Sequence, residues 1–222
     1  MCNRASFLAA ATVLLCGWLL GCGLWPLGRV AGSATAATAI RDVGDFTQVE
    51  FLGAGRVQVT IGDLQPLELT GDDNILPLIQ TKVTDGKLVV RPTRTILPTQ
   101  PLVIRATVPN LTALMLAGAG EIVVSGVDND GLQAAVTGAG TLTLSGQTAG
   151  LTLTLTGVGS ADAADLVASA VTVDVSGAGS ATVQAVDTLD VTITGVGSVT
   201  YSGDPVVTQH ITGLGTLQKA EE

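Results

Sequence analysis

Cysteine is nearly absent from this chain: Cys2, Cys16 and Cys22 are the only three, and all lie near the N-terminus. The rest has no disulfide, no thiolate metal site and no cysteine nucleophile, so it must hold together by packing. Aromatic residues make up 3% of the chain and charged residues 13%, an unusual balance for a globular enzyme. His210 is the single histidine, and a catalytic triad needs an oriented base. Basic residues are missing between Ala106 and Gln218, whereas Arg41, Arg56, Lys82, Lys87, Arg91, Arg94 and Arg105 cluster earlier. With 10 basic against 19 acidic residues overall, the basic-free segment is a poor partner for nucleic acid or anionic lipid.

What the chain does have is glycine, 28 of them, and 46% hydrophobic residues. Gly-x-Gly units begin at Gly118, Gly138, Gly157, Gly177, Gly195 and Gly213, spaced 20, 19, 20, 18 and 18 residues apart. A period near 20 is the signature of a repeat architecture. An earlier copy, Gly53-Ala54-Gly55, stands 65 residues before Gly118, about three periods away. At two, four and six residues before the first glycine the copies read Leu132/Ala134/Val136, Leu151/Leu153/Leu155, Val171/Val173/Val175 and Leu189/Val191/Ile193. Such alternation puts all of them on one face of a strand, and the β-branched content excludes a helix. The corner glycines are expected to supply positive φ and room for stacking. Each copy reads as strand, corner, strand and return, and coils stacked at about 4.8 Å bury the apolar face that one coil cannot. The spacing thus predicts an all-β β-solenoid with coils of about 18–20 residues. The alternative, an antiparallel β-sandwich, needs hairpin turns instead of identical corners at a fixed period.

The N-terminus reads as an export signal. Arg4 precedes an apolar run from Ala5 to Leu20, followed by Leu19-Leu20-Gly21-Cys22, a near match to the lipobox of bacterial lipoproteins. The expected organisation is a signal peptide over residues 1–22 and a flexible Gly/Ala/Ser/Thr tether over 23–41. The solenoid then covers 42–222, with irregular coils over 42–110 and regular Gly-x-Gly coils over 111–218. Cys22 is the expected lipidation site. The alternatives are cleavage at Ala36 or an uncleaved anchor over Ala5 to Leu27.

Catalytic and cofactor chemistry finds little material. A dinucleotide fingerprint needs a third glycine and a helix after it, but Glu121-Ile122-Val123 and Thr141-Leu142-Thr143 follow the corners as strand. No cofactor is therefore expected. His210 has outward parity, so it reads as an exposed polar residue. Asp128 and Asp130 have only part of a calcium-loop spacing. The outward pairs Thr154/Thr156 and Thr192/Thr194 suggest an ice-binding array, yet the same column holds Asp174 and His210, which a lattice-matching face would not tolerate. Asp162, Asp174, Asp187 and Asp190, with Thr154 and Thr192, form the candidate binding face, suited to a cationic or richly hydrogen-bonding partner.

The "SGAG" and "TGVG" corners, "TKVTDGKLVV" at Thr81 to Val90 and the ending "VTYSGDPVVTQHITGLGTL" from Val199 to Leu217 together resemble a bacterial family, putative auto-transporter adhesin, head GIN domain. The resemblance implies an exported, often lipid-anchored, right-handed single-stranded β-helix, and it brings no catalytic residues. The expected function is a non-enzymatic surface binding or adhesion module of the cell envelope, at the outer membrane or cell surface, with an envelope or extracellular protein or a glycan as partner. A structural or regulatory envelope lipoprotein contacting another protein is the alternative, and a secreted or periplasmic location the alternative placement. Membrane contact is expected through the N-terminal anchor alone.

Overall fold

Alternating apolar and polar residues leave each strand with one face to bury, and identical coils bury it by stacking in register. The computed structural model describes residues 28–220, and its architecture is a β-solenoid. On one face, here face A, Leu132 lies beside Leu151, Val171 and Leu189 in successive coils. The parallel column through Leu114, Ala134, Leu153, Val173 and Val191 is equally buried. Across the corner, face B repeats the arrangement with Ile122, Leu142, Ala161, Ala181 and Val199. Every rung between these coils is parallel, which rules out the antiparallel sandwich. Burying one such leucine or valine contributes about 2 kcal/mol. A third ladder, Gln147 beside Val167 and Gln184, closes the returns.

The corners continue the hydrogen-bond ladder instead of interrupting it. Ala139 N–H donates to Gly118 O at 3.0 Å, Val158 to Gly138 at 3.1 Å and Ala178 to Gly157 at 3.1 Å. This stacking brings backbone so close that a Cβ built on Gly138, Gly157 or Gly195 would stand 1.9–2.0 Å from the carbonyl oxygen of the preceding corner. Positive φ, the other expected reason for glycine, is corrected here: of the corner glycines only Gly55 adopts it, at 148°. Close approach is the constraint that the repeat satisfies.

The start of the solenoid departs from the simple period. Gly118 stacks directly on Gly53, with Ala119 N–H donating to Gly53 O at 3.0 Å, so the 65 residues between them are one axial step and not three. The intervening chain travels outward and back. Lys87–Pro92 and Val103–Val108 lie on the N-terminal side of Gln48–Phe51 and Arg56–Ile61, while Ala113–Leu116 and Glu121–Asn129 lie on the other side. The first coil in sequence is therefore second along the axis. Antiparallel strands Gln65–Asp72 and Ile79–Thr84 flank this end, and Ile75, Leu76, Ile79 and Leu102 cover its interior.

The segment expected to be a tether is partly folded. Val30–Ala31 pairs with Ile96–Leu97, and Ala36–Arg41 pairs antiparallel with Gln65–Asp72. A short polar run, Asp72-Asp73-Asn74, clamps the turn between them. The Asp72 carboxylate, 1% exposed, accepts backbone N–H groups from Thr99 at 2.8 Å, Ala34 at 2.9 Å and Gln100 at 3.0 Å. Asp73 accepts the Ser33 hydroxyl, and Asn74 Nδ2 donates to Ala31 O at 2.8 Å. Burial pushes the Asp72 pKa upward, but the N–H groups of Gln100, Thr99 and Ala34 outweigh it and hold the carboxyl below its ordinary value. Composition alone reads this segment as loose because its ordering partners Asp72, Asp73 and Ile96 lie 38 to 66 residues away. Arg41 adds a second lock, its guanidinium donating to Ile79 O at 2.5 Å and Leu76 O at 2.7 Å.

Candidate functional site

Strand alternation that buries leucine and valine must turn the intervening residues outward, and parallel register aligns them into columns whose successive residues stand about 4.8 Å apart. On face A one column runs Met115, Ala135, Thr154, Asp174, Thr192 and His210. Its neighbour runs Gln133, Thr152, Thr172, Asp190 and Thr208. Asp174 thus sits between Thr154 and Thr192, and Thr192 between Asp174 and His210. Hydroxyls and carboxylates fixed at this spacing offer a periodic set of donors and acceptors. The same face holds a recess of about 230 Å³ near its N-terminal end, lined by Glu50, Lys87, Met115, Ala135 and Thr154. Lys87 and Glu50 pair across it at 3.4 Å.

The candidate binding residues do not form one face. Thr154, Asp174, Asp190 and Thr192 share face A, as parity suggested. Asp162 lies on face B, in the column Thr143, Asp162, Thr182 and Thr200, and Asp187 is exposed in a return where the register shifts. Parity separates inside from outside, but it does not distinguish the sheets on either side of a corner. His210 is exposed, and among the described residues its side chain has no hydrogen bond or ion pair that could orient it as a base. Asp128 accepts Gln147 Nε2 at 3.0 Å, while Asn129 turns inward to donate to Leu111 O at 2.6 Å and accept the Thr148 hydroxyl at 2.7 Å. Among the described residues no cluster of three or more His, Cys, Asp or Glu could hold a metal.

Sequence reasoning missed a groove along the corners. Its floor is Gly140, Gly159, Gly179 and Gly197, one side carries the Ser160, Ser180 and Ser198 hydroxyls, and its volume is about 510 Å³. The other side is apolar: Val158, Val196 and Leu214 are 68%, 60% and 82% exposed. The available signal was the middle residue of each Gly-x-Gly, which is apolar although it sits at a solvent-facing corner. The described aromatics, Phe46, Phe51 and Tyr201, are all wholly or partly buried, so no ring offers a stacking platform among the described residues. The leader, including the lipobox and Cys22, lies outside the described residues. No helix among the described residues is long and apolar enough to cross a membrane.

A family model matches residues 45–205, and its description is putative auto-transporter adhesin, head GIN domain. The chain belongs to this family. Among solved structures it is similar to a "putative adhesin" from Bacteroides fragilis, with 25% identity and a TM-score of 0.70 over 86% of this chain and 100% of that one. A "putative adhesin" from Parabacteroides merdae shares the fold at 20% identity and a TM-score of 0.55, covering 87% of this chain and 99% of its own. A "putative lipid binding protein" from Parabacteroides distasonis does so at 20% identity and a TM-score of 0.55, over 87% and 100%. No curated protein matches the chain. The head GIN family and these neighbours are described as adhesins or binding proteins, not enzymes.

Proposed function

We propose that this head GIN protein is a non-enzymatic binding module, exported to the cell envelope and held there by a lipid on Cys22. The observation that carries this reading is the in-register polar surface of face A, where Thr154, Asp174, Thr192 and His210 follow one another with no oriented base beside a nucleophile. Such a face binds by many modest hydrogen bonds and by its negative field. Between Ala106 and Ala220 the chain has nine carboxylates and one cation, Lys219. The partner is therefore a cationic or hydroxyl-rich surface of an envelope or extracellular protein or a glycan. Capture of the partner from the native envelope, followed by binding across a salt series, tests this. Binding should weaken above about 0.15 M salt, where the screening length is about 8 Å, and weaken further in Asp174→Asn/Asp190→Asn. Salt-independent binding that ignores both substitutions would move the site away from face A.

A second reading, an envelope lipoprotein that acts on a neighbouring envelope protein, draws support from the clamped arm. Val30, in the first strand among the described residues, follows Cys22 by eight residues. Eight residues of chain reach at most about 29 Å, which favours work close to the bilayer. Protease shaving of intact cells distinguishes the readings, because surface display exposes the solenoid and a periplasm-facing one stays intact. Labelled palmitate retained by Cys22→Ser would overturn the anchor.

A further inference from the structure

The polar columns of face A break at one place. From Thr152 onward the outward positions of the two columns carry only Thr, Asp and His, whereas the two coils nearer the cap place Ala113, Met115 and Ala135 there. These short or flexible side chains leave the recess of about 230 Å³, and Met115, 37% exposed, lines it. The next rungs toward the cap close it with charge. Glu50 follows Met115 in one column, Lys87 follows Gln48 and Ala113 in the other, and the two charges pair at 3.4 Å. Gln133 and Thr154 border the opposite side. Among the described residues the Glu50 Oε1 oxygen, the Gln133 amide and the Thr154 hydroxyl have no hydrogen-bond partner. An apolar patch is thus ringed by donors and acceptors that the fold itself does not use.

That combination selects its occupant. A ligand with one full charge is opposed within the recess, an anion by Glu50 and a cation by Lys87. An acyl chain would leave the ion pair, the amide and the hydroxyl facing hydrocarbon. Peptides are read by sheet edges, helix grooves, aromatic slots or Arg clusters. None of these is present, because Gln48–Phe51 and Ala113–Leu116 are each paired on both sides, so the backbone around the recess is already used. What remains is an uncharged molecule with a face of C–H groups and a rim of hydroxyls, each able to donate and accept. A pyranose ring has that form. One ring also suits the size, since drug-sized ligands take roughly 300–1,000 Å³ and this recess about 230 Å³. Neighbouring ring hydroxyls span the ion pair, one donating to the Glu50 carboxylate and the other accepting from the Lys87 ammonium, both charge-assisted. The polarisable Met115 thioether takes the C–H face in place of an aromatic platform.

We propose that the recess is the subsite for one uncharged pyranose ring of a glycan, whose chain continues along the column of Thr154, Asp174 and Thr192. This assignment rests on face A being a binding surface, and it selects glycan over protein there. Met115 is the only methionine besides Met1, so its isotope-labelled methyl group reports on the recess by NMR of the full chain in detergent. The probes are the methyl glycosides of glucose, galactose, mannose and N-acetylglucosamine. At least one should move the Met115 signal saturably, with a dissociation constant of about 1 mM. Glu50→Gln should weaken that binding about tenfold, Ala135→Leu, which fills the recess, should abolish it, and Thr182→Ala on face B should leave it unchanged. The absence of a saturable shift with all four glycosides overturns the proposal. So does binding indifferent to Glu50→Gln or to Ala135→Leu, and so does tighter binding of a blocked triglycine amide than of any glycoside. If the glycosides fail while the captured partner still binds face A in the salt series, the binding surface stands and only the sugar subsite falls. Should Glu50→Gln fail to fold, Ala135→Leu decides alone.

Discussion

The cap at residues 28–108 and the glycine-cornered coils that follow reach similar burial by opposite means. In the coils one solution is repeated: Gly138 on Gly118, Gly157 on Gly138, Gly177 on Gly157. In the cap each element is held by its own residues, as Asp72 holds Ala34 and Thr99, and Arg41 holds Leu76 and Ile79. A coil is thus specified by its nearest neighbour, and the cap by contacts distant in sequence. Damage to the coils should spread along the axis, whereas damage to the cap should free one arm.

The largest expected effect is at a corner. Gly157→Val puts a Cβ 1.9 Å from Gly138 O and should destabilise the domain by about 3 kcal/mol or more. Gly131→Ala, whose nearest contact would be at 3.9 Å, should change the denaturation midpoint little. Equal midpoints would refute close approach as the reason for the repeat. Next comes position along the axis. Leu153→Ala, fully buried in a middle coil, should cost about 3 kcal/mol. Val207→Ala in the terminal coil should cost about 1 kcal/mol or less, because its site is already partly open.

The cap should show a pH dependence that the corners lack. The folded pKa of Asp72 is depressed, so its contribution is complete above the unfolded value of about 3.9 and is lost as pH falls through the lower folded value. Hydrogen exchange should show the Ala34, Thr99 and Gln100 amides losing protection below about pH 4, ahead of the Ala139 and Val158 corner amides. Asp72→Asn should remove that protection at neutral pH. Loss in step with the corners would mean that cap and coils melt as one unit. The smallest effects concern exposed or strained single positions. Ala34→Gly should stabilise the arm by about 1 kcal/mol, since Ala34 sits at φ 63°. Thr154→Val on the outward face should fall within about 0.5 kcal/mol of the parent.

This contrast also explains what the sequence could reveal. The coils were legible because alternation and the corner period are local, so Leu151 and Val171 could be aligned without knowing the structure. The cap was not. Nothing local says that Gly53 lies under Gly118, that 87–108 precedes 48–61 along the axis, or that Asp72 reaches Ser33's neighbour Ala34. The candidate site was legible to the same depth. Outward parity was correct for Thr154, Asp174, Asp190 and Thr192, but which outward residues share a sheet depends on where the chain bends, and Asp162 lies around the corner. The groove beside Val158 and Val196 escaped notice because an apolar corner residue reads as packing until its exposure is seen.

Glycine-on-glycine contact makes each corner answerable only to the one before it, and this turns the solenoid into a ruler. Removing or duplicating one coil, for example residues 157–176, keeps every remaining interface of the same kind and changes the rod by one rung of about 4.8 Å. The two ends of the described solenoid would move apart or together without being redesigned. The distance from cap to tip is in this sense a digital quantity, written in the number of glycine pairs.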